Sequence, residues 1–374
     1  MPTASTNRFL DFVPAGVRTL KPYVPGKPVE ELEREYGVRD ALKLASNENP
    51  LGTSPRALEV VRRSLSGLER YPDDGAFALK SKLAARHGVT MAQITLGNGS
   101  SNVLDLVARA FVAPGNEMVF SQYAFLLYPI IAQACGARAV MTPATGWGHD
   151  LDAMLAAITP ATRLVFIANP NNPTGTWLRG AQLEGFLRRV PPHVIVLVDE
   201  AYFEYAIFAQ TGAVDYPDAM AWVGRYDNLV VTRTFSKAYG LAGLRVGYAV
   251  SHADVADLLG RIRQPFNVNS LALLAAQAAL DDQEFLTRSQ ATNAQGMRQL
   301  NEGLRSLGLS SIPSAANFLC VDVARDARAL YDALLRQGVI VRPSADMPTH
   351  LRITIGLPTE NERVLAALHQ VLKS

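Results

Sequence analysis

Between about residues 46 and 265, short apolar runs alternate with stretches of amphipathic, helix-like periodicity. The runs contain few alternating polar residues, which is typical of strands buried on both faces of a parallel sheet. Strands are predicted at 94–96, 118–121, 138–141, 164–168, 195–198, 229–232 and 246–250, and helices at 54–65, 76–86, 101–111, 125–134, 152–157 and 179–189. The pattern predicts an α/β fold with a mostly parallel, seven-stranded sheet sandwiched by helices.

The flanking regions differ from this pattern. Residues 1–45 are rich in proline and glycine and predict an extended N-terminal arm that partly joins a small domain. After a large domain at 46–265, residues 266–374 predict a smaller α+β domain. Its predicted elements are a long helical stretch at 272–305, strands at 318–323, 339–341 and 351–355, and helices at 327–337 and 360–372.

Composition excludes several classes of function. A net charge of +2 argues against nucleic acid as the main partner, and no apolar run is long enough for a transmembrane helix. The N-terminus lacks a signal-peptide pattern, and Cys135 and Cys320 are expected to be small buried residues, so a cytoplasmic location is expected. The six histidines show no close pairing, so no metal site is predicted.

Polar side chains follow three predicted strands at the points where they end. Asn172 comes after strand 164–168, Asp199 ends strand 195–198, and Lys237 follows strand 229–232. In open α/β sheets, ligands bind beyond the carboxyl ends of the strands. The three side chains are therefore expected to share one site.

These side chains suit pyridoxal 5′-phosphate (PLP), which needs an amine for an imine and an anion for its ring nitrogen. Lys237 could supply the amine if its pKa is lowered, and Asp199 could supply the anion. Asn172 and Tyr202 could donate to the ring oxygen, and Tyr123 could stack on the ring. Judged alone, each residue has a plainer reading, such as a surface lysine, a helix-capping aspartate or a packed tyrosine.

A phosphate needs converging donors. The segment 97–102 reads Gly-Asn-Gly-Ser-Ser-Asn before a predicted helix, and a helix N-terminus attracts anions. The third glycine of the dinucleotide-binding fingerprint is missing. The predicted phosphate ligands are Ser100, Ser101, Thr234, Ser236 and Arg245.

Two arginines near the C-terminus are candidates for binding a substrate anion. Arg352 lies inside an apolar strand, where an unpaired guanidinium would be costly. An internal acidic partner is the plainer alternative. Arg342 is a second candidate.

Taken together, the motifs resemble those of the histidinol-phosphate aminotransferase family, within the fold-type I PLP-dependent aminotransferases. The resemblance covers nearly the whole chain. The segments that carry it are Leu-Ala-Ser-Asn-Glu-Asn-Pro at 44–50, Arg-Tyr-Pro at 70–72, Asn-Asn-Pro-Thr-Gly at 171–175, Asp-Glu-Ala-Tyr at 199–202 and Thr-Phe-Ser-Lys-Ala-Tyr-Gly-Leu-Ala-Gly-Leu-Arg at 234–245.

The resemblance implies that Lys237 carries the cofactor as an internal aldimine and shuttles protons, with Asp199 and Tyr202 assisting. It implies that Tyr71 reaches into the site of a partner subunit, hence a homodimer. The implied reaction is a ping-pong transfer from histidinol phosphate to 2-oxoglutarate, which yields imidazole acetol phosphate and glutamate. The implied substrate contacts are Tyr23, Asn47, Arg342 and Arg352.

Three departures from the family pattern bear on specificity. Hydroxyls and an amide occupy 100–102, where an acidic residue is usual; the loop 343–350 is shorter and lacks a Gly-Tyr pair; and residues 208–221 form an insertion. An aromatic amino acid aminotransferase and a PLP decarboxylase similar to the threonine-phosphate decarboxylases therefore remain alternatives. A non-catalytic PLP-binding regulator is a weaker one, because the proline-rich arm lacks a helix-turn-helix pattern.

Overall fold

The computed structural model describes residues 7–23, 25–208, 212–344 and 346–373. The strands of this part, numbered in chain order, are β1 (Leu42–Lys43), β2 (Ile94–Gly97), β3 (Glu117–Ser121), β4 (Arg138–Thr142), β5 (Ala144–Thr145), β6 (Gly148–His149), β7 (Thr162–Ala168), β8 (Ile195–Asp199), β9 (Leu229–Thr234), β10 (Gly247–Ser251), β11 (Ser310–Ile312), β12 (Phe318–Asp322), β13 (Val339–Ile340), β14 (Arg342–Ser344) and β15 (Met347–Thr354).

The α-helices of the same part, also in chain order, are α1 (Ala15–Arg18), α2 (Val29–Tyr36), α3 (Pro55–Arg63), α4 (Phe77–His87), α5 (Ser100–Phe111), α6 (Leu127–Ala134), α7 (Leu151–Ala156), α8 (Gly180–Leu187), α9 (Phe203–Ala206), α10 (Ala253–Ile262), α11 (Ser270–Asp281), α12 (Gln283–Ser306), α13 (Ala327–Arg336) and α14 (Pro358–Lys373). Among the described residues, no helix is both long and apolar enough to cross a membrane.

A seven-stranded sheet forms the larger layer of the fold, in the order β2-β10-β9-β8-β7-β3-β4. β10 is antiparallel to its two neighbours, and the other pairs are parallel. All seven strands predicted between residues 94 and 250 belong to it. The predicted fold class, a mostly parallel sheet between helices, is confirmed.

Alternate side chains of the central strands enter different hydrophobic cores. Val196 and Val198 of β8 pack into one cluster, and Leu197 between them packs into another. Both faces of these strands are therefore covered, which explains why the strands are almost continuously apolar.

A four-stranded antiparallel sheet lies in the C-terminal part, in the order β11-β12-β15-β14. It shares a separate hydrophobic core with residues of α12, α13 and α14. The helical stretch predicted at 272–305 is two helices. Asp282 interrupts it and caps α12 by accepting a hydrogen bond from the amide of Phe285 at 3.2 Å.

The N-terminal segment is less extended than its composition predicts. The α2 helix buries Leu32 in the C-terminal core, and β1 pairs in parallel with β13. Local proline and glycine content did not indicate this helix or this strand, whose contacts join residues nearly 300 positions apart. The division into an arm and two domains stays a prediction.

The sheet brings the predicted polar side chains to one edge. Asp199 is the last residue of β8 and is aligned with Ala168 of β7 and Thr232 of β9. The segments that leave β7 and β9 carry Asn172 and Lys237 past the same edge. The site thus forms where three parallel strands end.

Candidate active site

A cavity of about 210 Å³ lies at the carboxyl ends of β7, β8 and β9 and is closed from the other side by residues of β14 and β15. It brings together thirteen of the fifteen predicted site residues. These are Tyr23, Asn47, Ser100, Ser101, Asn172, Asp199, Tyr202, Thr234, Ser236, Lys237, Arg245, Arg342 and Arg352.

Lys237 projects its amine into this cavity. Its Nζ donates a hydrogen bond to the carbonyl oxygen of Ser46 at 3.0 Å and lies 5.9 Å from the centre of the Tyr202 ring. Burial, and then the guanidinium of Arg352, lower the pKa of Lys237 to about 8. A useful fraction of the amine is therefore neutral and nucleophilic near physiological pH.

Asp199 is a buried carboxylate, and both of its oxygens accept hydrogen bonds. The Tyr128 hydroxyl donates to Oδ2 at 3.1 Å, and the Thr232 hydroxyl donates to Oδ1 at 3.0 Å. Burial raises the pKa of Asp199 to about 6, although these two hydrogen bonds act in the opposite direction. Asp199 is thus ionised at neutral pH and suited to face a cationic ring nitrogen.

The adjacent Glu200 belongs to a different network. Arg233 donates to Glu200 Oε2 from Nε at 2.9 Å and from Nη2 at 2.7 Å, and its Nη2 also donates to Asp218 at 2.6 Å. These three side chains do not line the cavity. The interpretation of Glu200 as a structural residue is consistent with this buried pair.

Tyr202 and Asn172 are held by neighbours that leave donors available. Asn47 Nδ2 donates to the Tyr202 hydroxyl oxygen at 2.8 Å, so the Tyr202 proton can be donated elsewhere. Arg352 Nη1 donates to Asn172 Oδ1 at 2.6 Å, which leaves the amide nitrogen of Asn172 as a donor. Both residues can therefore donate to a ring oxygen placed in the cavity.

One end of the cavity suits a phosphate. Ser100 and Ser101 open the twelve-residue helix α5, and its N-cap, Gly99, has no side chain to compete for the first amides. Arg245 Nη1 lies 3.4 Å from the Ser236 hydroxyl. A Cβ on Gly99 would overlap Nη2 of Arg245, so the glycine makes room for the guanidinium. Hydroxyls, amides and one cation therefore converge, as a phosphate dianion requires.

A second cationic region lies on the C-terminal sheet. Arg342 and Arg352 are directly opposite each other on β14 and β15, where like charges are unfavourable unless an anion is shared. Arg352 Nη2 donates to the carbonyl oxygen of Ala45 at 2.5 Å, and the Arg342 guanidinium lies 5.6 Å from the centre of the Tyr23 ring. Within the described part of the chain, Arg352 Nε is buried without a hydrogen-bond partner. The arrangement fits a second anion.

Tyr123 is not among the residues that line the cavity, although it lines the small pocket beside it, and its stacking on the cofactor ring stays a prediction. Its ring lies 5.1 Å from that of Trp147 and packs against a small cluster that includes Cys320 and Met347. Phe125, two residues later, lines the cavity. The segment between β3 and α6 is irregular, so strand alternation could not indicate which aromatic ring faces the site.

Tyr71 is the other predicted residue that this chain does not bring to its own cavity. It is 82% exposed and stacks on Phe266, with ring centres 4.5 Å apart. The sequence prediction placed Tyr71 in the site of a partner subunit.

Sequence reasoning missed Tyr128 and Thr232, the two partners of Asp199. Thr232 could have been found, because parallel pairing of β8 with β9 aligns it with Asp199. Nothing in the local pattern marks Tyr128, which lies in α6 and is fully buried.

In the loop predicted to be shorter than usual, β14 ends at Ser344 and β15 begins at Met347, and these two residues pair; residue 345 lies outside the described residues. Asp346 lines a small pocket of about 50 Å³ beside the cavity. In the insertion, residues 209–211 lie outside the described residues, and the Tyr216 hydroxyl donates to the carbonyl oxygen of Asn169 at 2.5 Å. The insertion thus contacts the loop that follows β7.

The fold and the cavity define a class of enzyme, and comparison with known proteins agrees. The family model for aminotransferase class I and II matches residues 39–368, and the chain belongs to this family. It is 59% identical over 368 residues to histidinol-phosphate aminotransferase 2 of Pseudomonas aeruginosa, covering 97% of this chain and 98% of that one. It is 54% identical over 367 residues to histidinol-phosphate aminotransferase 1 of Nitrosococcus oceani, covering 98% of both chains.

A solved structure supports the same assignment. The crystal structure of histidinol-phosphate aminotransferase from Sinorhizobium meliloti in complex with pyridoxal-5′-phosphate superposes with a TM-score of 0.89. Its sequence identity is 30%, and the match covers 99% of each chain. The resemblance inferred from the motifs is confirmed.

Proposed function

We propose that this chain is a PLP-dependent aminotransferase that transfers an amino group from histidinol phosphate to 2-oxoglutarate in two half-reactions. The observation that carries the proposal is one cavity in which Lys237 and Asp199 lie between two cationic regions. One region suits the cofactor phosphate, and the other suits an anion on the substrate. The names of relatives at 54% and 59% identity support histidinol phosphate as the donor.

The residues of the cavity fit PLP, which when bound supplies an electron sink and carries the amino group. Asp199 would pair with the ring nitrogen, and Asn172 and Tyr202 would donate to the ring oxygen. Phe125 would cover one ring face. The phosphate would be held by Ser100, Ser101, Thr234, Ser236 and Arg245.

Lys237 attaches the cofactor and then moves the proton. Its lowered pKa, about 8, makes the neutral amine available for bond formation. Once released, Nζ would take the proton from the substrate carbon that bears the amino group and deliver it to the cofactor carbon. Because Lys237 lines the cavity, its amine can act first as the base and then as the acid.

The region of Arg342 and Arg352 selects substrates that carry an anionic group. It binds the phosphate of the amino donor in one half-reaction and a carboxylate of 2-oxoglutarate in the other. Tyr23 and Asn47 complete this wall of the cavity. One cationic region thus serves two substrates that occupy the site alternately.

An aromatic amino acid is a second candidate donor. The small pocket beside the cavity is lined by Tyr123, Phe125 and Leu126, which could contact a planar ring. This pocket accepts imidazole and benzene rings on similar terms, so its shape alone does not separate the two donors.

We also propose a cytoplasmic homodimer in which Tyr71 of one subunit completes the cavity of the other. The exposure of Tyr71 and its stacking on the partly exposed Phe266 support this arrangement. Neither ring has a role in the cavity of its own chain.

A half-reaction tests the proposed donor. PLP-loaded protein is mixed separately with histidinol phosphate and with phenylalanine, and the absorbance of the bound cofactor is followed. We expect fast conversion to the amine form with histidinol phosphate and none with Lys237→Ala. Conversion by phenylalanine alone would establish the aromatic donor instead. Release of carbon dioxide without a keto product would refute transamination.

A further inference from the structure

Tyr128 lies outside the cavity but contacts two groups that face it. Its hydroxyl donates to Oδ2 of Asp199, and its ring stands edge-on to Phe125 with centres 5.8 Å apart. The Tyr128 ring also stacks on the ring of Phe166, with the two planes within 3° of parallel and the ring centres 4.4 Å apart. A fully buried tyrosine held in this way has little freedom to move its hydroxyl.

Thr232 holds the other oxygen of the same carboxylate. Its hydroxyl reaches Asp199 Oδ1 from the neighbouring strand β9, whereas Tyr128 reaches Oδ2 from helix α6. The carboxylate is therefore held from two sides by neutral donors, and its plane is fixed relative to the cavity.

The donors keep their protons at neutral pH. The titratable groups that face Asp199 are Tyr128, Tyr202 and Lys237. Burial raises the pKa of Tyr202 to about 12 and raises that of Tyr128 well above its ordinary value, so both remain neutral hydroxyls. Donation to Asp199 favours its charged form over the protonated one.

We propose that Tyr128 and Thr232 are positioning residues that orient the Asp199 carboxylate toward the cofactor ring nitrogen and keep it ionised. The inference rests on the proposed function, in which Asp199 pairs with that nitrogen. Tyr128 has an additional role, since it also supports the ring of Phe125 against the cofactor face.

Cofactor affinity is the first test. The dissociation constant for PLP is measured for wild type, Tyr128→Phe, Thr232→Val and Thr232→Ser. Loss of one hydrogen bond to a charged group predicts roughly 10- to 100-fold weaker binding for Tyr128→Phe and Thr232→Val. Thr232→Ser retains the hydroxyl and should bind PLP close to wild type.

The pH profile of stability, measured on the cofactor-free protein, separates positioning from packing. The pKa of Asp199 is about 6 in the folded protein, above its ordinary value of 3.8. Between these two pH values the folded state binds more protons than the unfolded state, so the contribution of Asp199 to stability falls as pH rises. Without the Tyr128 hydroxyl the pKa rises further, and the fall continues to higher pH. The melting-temperature deficit of Tyr128→Phe should therefore grow between about pH 5 and pH 8.

A deficit that is independent of pH, together with wild-type PLP affinity, would show that Tyr128 serves packing alone. The same result for Thr232→Val would remove Thr232 from the proposal. Failure of the wild-type protein to bind PLP would instead contradict the proposed function.

Discussion

At the scale of single residues, the cavity shifts two ionisable groups toward neutral pH from opposite sides. Burial lowers the pKa of Lys237 to about 8 and raises that of Asp199 to about 6. Between these values the aspartate is ionised while part of the lysine is neutral. One group can therefore pair with a cation while the other acts as a nucleophile and base.

The first prediction concerns the pH dependence of cofactor capture by Lys237. With a pKa of about 8, about one-tenth of the amine is neutral at pH 7, far more than for an ordinary lysine. The rate at which cofactor-free protein captures PLP should rise with pH and level off above about 8. Borohydride reduction followed by mass spectrometry would count the chains that carry PLP at Lys237.

Lys82→Ala is the matched control for this measurement, because Lys82 pairs with Asp281 at the surface and does not line the cavity. It should capture PLP as wild type does, whereas Lys237→Ala should show no attachment at this position. A rate that increases only near pH 10 would mean that the pKa of Lys237 is not lowered.

At the scale of elements, regular strands were predictable and the irregular connections were not. The seven central strands were found because they are short and largely apolar, and a polar side chain follows or ends several of them. The sequence could not indicate that Phe125 lines the cavity and Tyr123 the pocket beside it, because both lie in an irregular segment that packs against Trp147 and the C-terminal sheet. Tyr128 was missed for a similar reason, since only tertiary packing brings α6 to Asp199.

The second prediction concerns the N-terminus of helix α5. Gly99 has a φ of +77°, and a Cβ there would overlap Nη2 of Arg245. Gly99→Ala should therefore displace this guanidinium and weaken PLP binding. It should also strain the backbone by about 1–3 kcal/mol, because a φ of +77° with a ψ of 161° lies in a region that essentially only glycine adopts. Calorimetric titration with PLP, together with the melting temperature of the cofactor-free protein, would measure both effects.

Gly88→Ala provides the comparison for that variant. Gly88 also has a positive φ, +64°, but a Cβ there would meet nothing within 4 Å. Because its ψ of 34° places it in the ordinary left-handed region, this variant should lose less stability than Gly99→Ala and retain wild-type PLP affinity. If both variants bind PLP equally well, the helix N-terminus and Arg245 do not hold the phosphate.

At the scale of the whole molecule, the cavity is built from parts that are distant in sequence. The large sheet supplies Lys237 and Asp199, the C-terminal sheet supplies Arg352, and the segment after β1 supplies Asn47. Arg352 donates to both the Ala45 carbonyl and Asn172, so it joins all three parts directly. In the proposed dimer, Tyr71 of a second subunit adds a fourth part.

The third prediction tests this shared site by mixing two inactive variants. Tyr71→Ala should damage the cavity of the partner subunit, whereas Lys237→Ala damages its own. A mixed dimer then contains one cavity with both defects and one with neither.

Equal mixing with subunit exchange forms mixed dimers as half of the population, so about a quarter of wild-type activity should return. Asp199→Ala mixed with Lys237→Ala is the control, because both residues line the same cavity and every mixed dimer keeps one defect in each site. Affinity capture of one variant that carries a tag, followed by mass spectrometry of the co-purified untagged subunit, would confirm that subunits exchange between dimers. Recovery with the Tyr71 variant and none with the Asp199 variant would show that the subunits share their sites. No recovery in either mixture despite exchange would mean that Tyr71 does not complete the cavity of the partner subunit.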